Sequence, residues 1–301
     1  MILLAAHAMG TRFEFVLCGE NTAHLRTLGE EALREITLWH DRLSRFEPAS
    51  DISRLNLSAH HERPTRIDPE LFDLLHLCDQ LHAHTHGAFD ISIGALMQAR
   101  GLHPPATQPQ STQRKPGPAL TLDRSIHTVR LAHGTSIDLG AIAKGFALDR
   151  AAAILRDGGI TQALLHGGTS SVVALGSAPD SAHGWPITIR SDTEPLHITL
   201  CDTALGVSAP RGRSCSPSAS TAPITHILNP LTGEPVNHTD TAAIIGPSAA
   251  ICDAWSTALV VLGSPPHNFP IEYTSHTHNR QVGWRTQPLA LAKPRLCLSE
   301  I

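Results

Sequence analysis

One stretch constrains this chain more than any other: residues 137–150, IDLGAIAKGFALDR. Ser136, Ile137, Asp138 and Leu139 read as a short strand. The chain then turns at Gly140, and Ile142, Phe146, Ala147 and Leu148 take helical spacing. A strand that feeds a helix through glycine leaves backbone N–H groups unpaired at the bend, and these attract phosphate. Lys144 adds a mobile cation one turn in. Asp138 adds a carboxylate at the strand end, placed to grip ribose, adenine or a metal. The same residues also fit an ordinary strand-to-helix junction, with Asp138 as a cap and Lys144 in solvent. The spacing from Gly140 to Gly145 is close to that of a P-loop, but Phe146 stands where the metal-binding Ser or Thr is required, which excludes that motif.

With 301 residues the chain is long enough for one large domain or two fused halves. It carries 23 basic against 27 acidic residues and no basic run interleaved with aromatics, so nucleic acid is excluded as a partner. Twenty-two Pro and 22 Gly point to many turns and an α+β chain rich in loops. The six cysteines, at 18, 78, 201, 215, 252 and 297, form no C-x-x-C pair, so neither a zinc clip nor a redox pair is signalled. No apolar run approaches the roughly 18 residues that span a bilayer. The opening MILLAAHAMG is short and lacks a basic lead, a poor signal peptide, which gives a cytoplasmic expectation.

Residues 2–18 read as a strand broken by Gly10. Residues 23–46 form the clearest amphipathic helix, with Leu25, Leu28, Ala32, Ile36, Trp39, Leu43 and Phe46 on one stripe, stopped by Pro48. A second helix covers 68–84, with Pro69 in its first turn, and Gly87 ends it. Ala88-Phe89-Asp90 then begins a strand. His82, His84 and His86 alternate and could share a strand face to hold a metal; the preceding helical spacing instead makes them a helix end, where the dipole favours positive charge. Irregular loops are expected at about 102–120 and 209–223. Between them lie a hairpin of 126–131 and 136–139, a helix over 141–156, and strands near 161–166, 171–176, 186–190 and 196–207. The last helix covers 248–262, and a terminal strand lies near 281–292. On that last helix Asp253, Ser256 and Thr257 fall at i, i+3 and i+4, one face. Three oxygens there suit a hard cation such as Mg²⁺. The alternative is a solvated Asp253, with the two hydroxyls bonded back to their own helix.

Six segments in order resemble the ApbE family of flavin transferases, the FAD:protein FMN transferases: Met9-Gly10-Thr11, LSRFEPASDISRLN, HGAFD, DLGAIAKG, THILNPLTGEP and DAWSTA. The match runs from Met9 to Leu262-Gly263. The resemblance implies a single α+β domain over 1–301 with the T-fold-like ApbE architecture of two similar halves. It implies that Met9 and Phe46 lie against the flavin, that Ala88, Phe89 and Asp90 contact FAD, and that Asp138, Lys144 and Ile227 belong to the same FAD site. Mg²⁺ is then held by Asp253, Thr257 and the carbonyl of Ala141, with Ser256 where some members carry a further carboxylate. His226 matches the functionally needed histidine; an unperturbed imidazole changes charge near neutral pH, which suits proton handling. Apart from the resemblance, each has a plain alternative: Met9 and Phe89 as core, Phe46 as the end of the helix stripe.

The implied function is Mg²⁺-dependent transfer of FMN from FAD, the substrate, to a Ser or Thr hydroxyl of an acceptor flavoprotein. Two alternatives are an FAD pyrophosphatase giving FMN and AMP, and a non-catalytic FAD-binding relative. Three positions depart from the family pattern: Thr169 and Asn229 where Asp is usual, and Ala209-Pro210 after Ser208 where a Ser-Gly is usual. Family members are often exported lipoproteins.

Overall fold

Phe13, Phe15 and Leu17 alternate with Arg12, Glu14 and Val16, the period-two pattern of a strand with one face inward, and all three are fully buried. They belong to β2 (Thr11–Cys18), which pairs antiparallel with β1 (Ile2–Ala8). The hairpin turns on Met9 and Gly10, with φ of +50° and +69°. Two successive left-handed residues match the twist of the flanking strands. What reads as one broken strand is therefore a hairpin, and the turn carries Met9 out at its tip. The computed structural model describes residues 1–103, 119–210 and 227–287.

The helix α1 (Thr22–Leu43) is capped by Asn21, whose side chain accepts from His24 N. It buries Leu25, Ala32, Ile36 and Trp39. It ends before its apolar stripe does. The Ser44 hydroxyl accepts from Phe46 N and Glu47 N, and this local turn competes with helix continuation ahead of Pro48. Phe46 is thereby left outside the helix. Next come α2 (Asp51–Ser58), capped by Ser50, β3 (Thr65–Arg66), and α3 (Pro69–His84), capped by Asp68 with Pro69 in its first turn. His86 and Gly87, both at positive φ, close α3.

Residues 88–92 do not form the expected strand. Asp90 Oδ1 accepts from Ser92 N at 2.8 Å and from Ser92 Oγ at 2.6 Å, which curls the backbone into a turn. Nor do residues 136–139 form one: beside this segment they make only an isolated parallel bridge, Ile93 to Ser136, and a bond from Asp138 N to Ile91 O. After α4 (Gly94–Ala99), the hairpin is β4 (Leu120–Asp123) with β5 (Thr128–Leu131), in place of the expected pairing of 126–131 with 136–139.

Helix α5 (Ala143–Asp157) is followed by β6 (Gln162–Gly167), β7 (Ser171–Leu175), β8 (Trp185–Ile189), β9 (Leu196–Leu200) and β10 (Ala204–Ser208). One strand was expected over 196–207; Asp202 at φ +50° splits it in two. Then come β11 (Thr241–Gly246), α6 (Ala249–Leu262), β12 (Thr274–Asn279) and β13 (Gly283–Gln287). The last lies inside the expected 281–292.

Eight strands make one antiparallel sheet in the order β1-β2-β6-β7-β10-β11-β12-β13. One face packs under α1, α5 and α6 in the main core; the other face, through Val172, Ala174, Leu205 and Ala243, packs under the β8–β9 hairpin with Trp185 and Ile189. Helices on one face of an antiparallel sheet define an α+β architecture. No helix among the described residues is long and apolar enough to cross a membrane.

Candidate functional site

A cleft of about 630 Å³ opens where the first hairpin, the end of α1, the 88–93 segment, the start of α5, the end of β10 and the face of α6 meet. That size is typical of a small-molecule site. Met9, Phe46, Ala88, Phe89, Asp90, Asp138, Ala141, Lys144, Ile227, Asp253 and Thr257 all line it. His226 lies outside the described residues.

The two carboxylates identified from the sequence sit in opposite electrostatic settings. Asp138 accepts from His103 Nε2 at 2.6 Å, Arg45 Nη1 at 3.1 Å and Gly140 N at 2.7 Å. Burial alone would raise its pKa, but His103, the Gly140 N–H and Arg45 outweigh that and hold it near 2. It therefore stays charged at any ordinary pH. Asp138 does not cap the helix α5, whose N-cap is Ile142; it closes the turn at Gly140 and is an ion-pair centre as well.

Asp253 is almost wholly buried, and burial pushes its carboxyl up to about 6, against the pull of Lys144, Ser171 and Gly145. Ser171 Oγ donates to both carboxylate oxygens, at 2.8 and 2.9 Å, and Gly145 N donates to Oδ2 at 2.8 Å. Gly145 is the third residue of α5, where a helix N–H has no carbonyl within the helix to bond. Here it turns to Asp253, and among the described residues the Ala141 carbonyl accepts no hydrogen bond. α5 has no side-chain cap of its own, so Asp253 of α6 serves as one. The favour is returned. Asp149 of α5 accepts from Ser248 Oγ at 2.8 Å and from Ala249 N and Ala250 N at 2.8 and 2.9 Å, at the start of α6. Its burial raises its pKa, and these bonds oppose the shift. The two helices cap each other.

The helices can do so because Gly145 has no side chain. A Cβ there would lie 2.1 Å from the Ala249 carbonyl oxygen. One turn further along α6, Gly206 of β10 allows a similar approach: a Cβ would meet the Cys252 carbonyl carbon at 2.4 Å.

The expected metal ligands can be tested against this chemistry. A buried carboxylate with a raised pKa, a hydroxyl one turn on at Thr257, and the Ala141 carbonyl, which accepts no hydrogen bond among the described residues, make an oxygen set that suits a hard divalent cation. Among the described residues no three His, Cys, Asp or Glu side chains gather as a metal site. The alternating His82, His84 and His86 fall at the end of a helix, not on a strand: α3 runs through His84, and His82 Nδ1 pairs with the Phe89 carbonyl at 3.1 Å. Ser256 is a correction. It is fully buried, does not line the cleft, and its hydroxyl bonds the Asp253 carbonyl at 2.9 Å, because its place at i+3 points it at the sheet.

The remaining candidates form the walls. Met9 N donates to His40 Nδ1 at 3.1 Å, tying the hairpin tip to α1. Phe46 is 63% exposed at the rim, edge-on to His103 at 5.7 Å. Ala88, Phe89 and Ile227 are buried, and Phe89 is core and cleft wall at once. Thr169 and Ala209 line the cleft, while Asn229 caps its own turn, Oδ1 accepting from Leu231 N at 2.9 Å. An Asx turn accepts Asn as readily as Asp. Sequence reasoning missed Arg45, His103, Ser171 and Ser208. Arg45 lay unremarked beside Phe46. Ser171, a hydroxyl facing inward at the head of an apolar strand, was the one legible signal.

The family model for the ApbE family matches residues 9–269. An FAD:protein FMN transferase of Klebsiella pneumoniae is 24% identical over 277 residues, 87% of this chain and 78% of the relative. One from Chlamydia muridarum is 29% identical over 251 residues, 78% of this chain and 77% of the relative. The crystal structure of the ApbE protein from Thermotoga maritima superposes with a TM-score of 0.77 at 23% identity, over 95% of this chain and 96% of that one. The flavin transferase ApbE from Vibrio cholerae gives 0.77 at 21%, with coverage of 95% and 96%. At these identities the two structures speak for the fold.

Proposed function

The chain belongs to the ApbE family, and we propose that it is an FAD:protein FMN transferase, moving FMN from FAD to a Ser or Thr hydroxyl of an acceptor flavoprotein and releasing AMP. The observation that carries this reading is the oxygen-lined end of the cleft, where Asp253, Thr257 and Ala141, whose carbonyl accepts no hydrogen bond among the described residues, line the same space as Lys144.

In this reaction the acceptor hydroxyl oxygen bonds the phosphorus on the FMN side of the diphosphate. The bond from that phosphorus to the bridging oxygen breaks, and AMP leaves with the bridging oxygen. The hydroxyl proton passes to a base, the role we assign to His226, since a neutral imidazole accepts a proton near pH 7. Phosphoryl transfer of this kind asks mainly for alignment and charge neutralisation. Lys144 meets part of the diphosphate charge. Asp253, Thr257 and the Ala141 carbonyl would hold Mg²⁺, which supplies the rest when bound. Met9, Phe46, Ala88, Phe89 and Ile227 offer apolar walls to the isoalloxazine. Asp90 and Asp138 offer carboxylates to the polar parts of FAD; the latter is kept charged by Arg45 and His103.

The test is incubation with FAD, Mg²⁺ and an acceptor domain. Covalent flavin on the acceptor is the expected result. Free FMN without labelling would make the protein a pyrophosphatase, and intact bound FAD would make it a binder. His226→Ala is expected to retain FAD binding and lose transfer; unchanged transfer would remove His226 from the mechanism.

A further inference from the structure

Three hydroxyls stand in line behind the oxygen-lined end of the cleft. Ser256 Oγ is 2.9 Å from the Asp253 carbonyl oxygen, Ser208 Oγ is 2.8 Å from Ser256 Oγ, and Ser208 Oγ is 3.0 Å from Thr257 Oγ1. Each hydroxyl has one proton to give. A carbonyl oxygen only accepts, so Ser256 spends its proton on Asp253. The contact between Ser256 and Ser208 then needs the proton of Ser208. The contact between Ser208 and Thr257 in turn needs the proton of Thr257. Only this assignment satisfies all three contacts. It leaves Thr257 Oγ1 with lone pairs alone for the cleft.

We propose that Ser208 is a positioning residue for the divalent cation: it draws the Thr257 proton inward, so that this side chain presents a pure acceptor to the ion. The inference rests on the reading that Asp253 and Thr257 hold such a cation. A hydroxyl free to rotate can turn its proton toward the cleft and repel a cation; one whose proton is already committed cannot. Ser208 is held in place for the task. It is the last residue of β10, and Gly206, two residues back, lets the α6 backbone lie against the strand, where an added Cβ would stand only 2.4 Å from the Cys252 carbonyl carbon. Ser208 thus acts through Thr257, in the way outer partners orient the ligands of metal sites generally.

The experiment is a Mn²⁺ titration of the full chain in the presence of FAD, read from the electron paramagnetic resonance signal of the free ion. The variants are Ser208→Ala, Ser208→Cys, Ser208→Thr, Thr257→Val and the double variant Ser208→Ala/Thr257→Val. Ser208→Ala should weaken binding by about 10- to 100-fold. Ser208→Cys, which keeps the shape but bonds poorly, should weaken it in the same direction and stands in if the Ala variant fails to fold. Ser208→Thr should restore binding. In the Thr257→Val background, Ser208→Ala should add no further loss, because the hydroxyl it orients is gone. Equal Mn²⁺ affinity in Ser208→Ala and the unaltered protein overturns the inference, as does an additive loss in the double variant. Absence of Mn²⁺ binding by the unaltered protein overturns the cation reading beneath it, a distinguishable result.

Discussion

Replacing Gly145 with Ala sets two known effects against each other. In an exposed helix interior the change stabilises by about 1 kcal/mol, because Ala is the better helix former. At Gly145 the added methyl would lie 2.1 Å from the Ala249 carbonyl oxygen, 2.4 Å from its carbon and 2.7 Å from Ala250 N. These are backbone atoms in the first turn of α6, and none can rotate away. Relief requires α5 and α6 to part by roughly 1 Å, to ordinary contact distance. Overpacking of this kind costs about 1–3 kcal/mol. Parting the helices also stretches the Gly145 N–H bond to Asp253 and the bonds from Asp149 to the start of α6. Leaving a buried acceptor short of a donor adds about 1–3 kcal/mol. The steric and hydrogen-bond losses exceed the propensity gain, for a net loss of about 3 kcal/mol once the terms are combined. Urea unfolding of both proteins at neutral pH, with and without Mg²⁺, measures it. A Gly145→Ala protein as stable as the parent, or more so, would refute the argument that the two helices touch backbone to backbone.

Two further predictions follow from the carboxylates. Asp138 has a folded pKa near 2, below its unfolded value, so the stability it adds is fully present above about pH 4 and is lost as pH falls toward 2. The gap between the parent and Asp138→Asn in urea unfolding should be about 2 kcal/mol at neutral pH and close with acid; a gap independent of pH would show that the ion pairs with Arg45 and His103 contribute nothing. Asp253 runs the other way. Its folded pKa is raised to about 6, so without a cation the fold loses stability as pH rises from about 4 through 6. A divalent cation must displace that proton, so its affinity should rise by about tenfold per pH unit up to about pH 6 and then level off. Calorimetric Mg²⁺ titrations at pH 5, 6 and 7 check this, and a flat affinity would count against Asp253 as a ligand.

The parts legible in the sequence were those whose physics is local. The apolar spacings over 23–46, 68–84, 141–156 and 248–262 each became a helix, α1, α3, α5 and α6, because neighbours three and four residues apart decide them. Asp138, Ala141 and Lys144 share one short stretch, so their joint presence in the cleft could be anticipated. The strands that failed to form, 88–92 and 136–139, were lost to the side chain of Asp90 and to the lack of a ladder beside Ser136. β11 escaped notice because TAAIIG, buried on both faces, shows no alternation. The partners of the site residues were illegible for a different reason. Arg45 meets Asp138 across 93 positions, Ser171 meets Asp253 across 82 and Ser208 meets Thr257 across 49. No periodicity spans such distances; only the folded sheet brings them together.

The strand order has a consequence for the making of the protein. β2 pairs with β6, aligning Phe13 with Gly167, so the first hairpin waits for more than half the chain before its inner edge is covered. Asp253 and Thr257 arrive later still, on the last helix among the described residues. A nascent chain leaving the ribosome carries Met9, Phe89 and Asp138 long before the residues that complete the opposite wall. Until residue 262 has been made, a partial product of translation therefore lacks the wall of the cleft that α6 supplies.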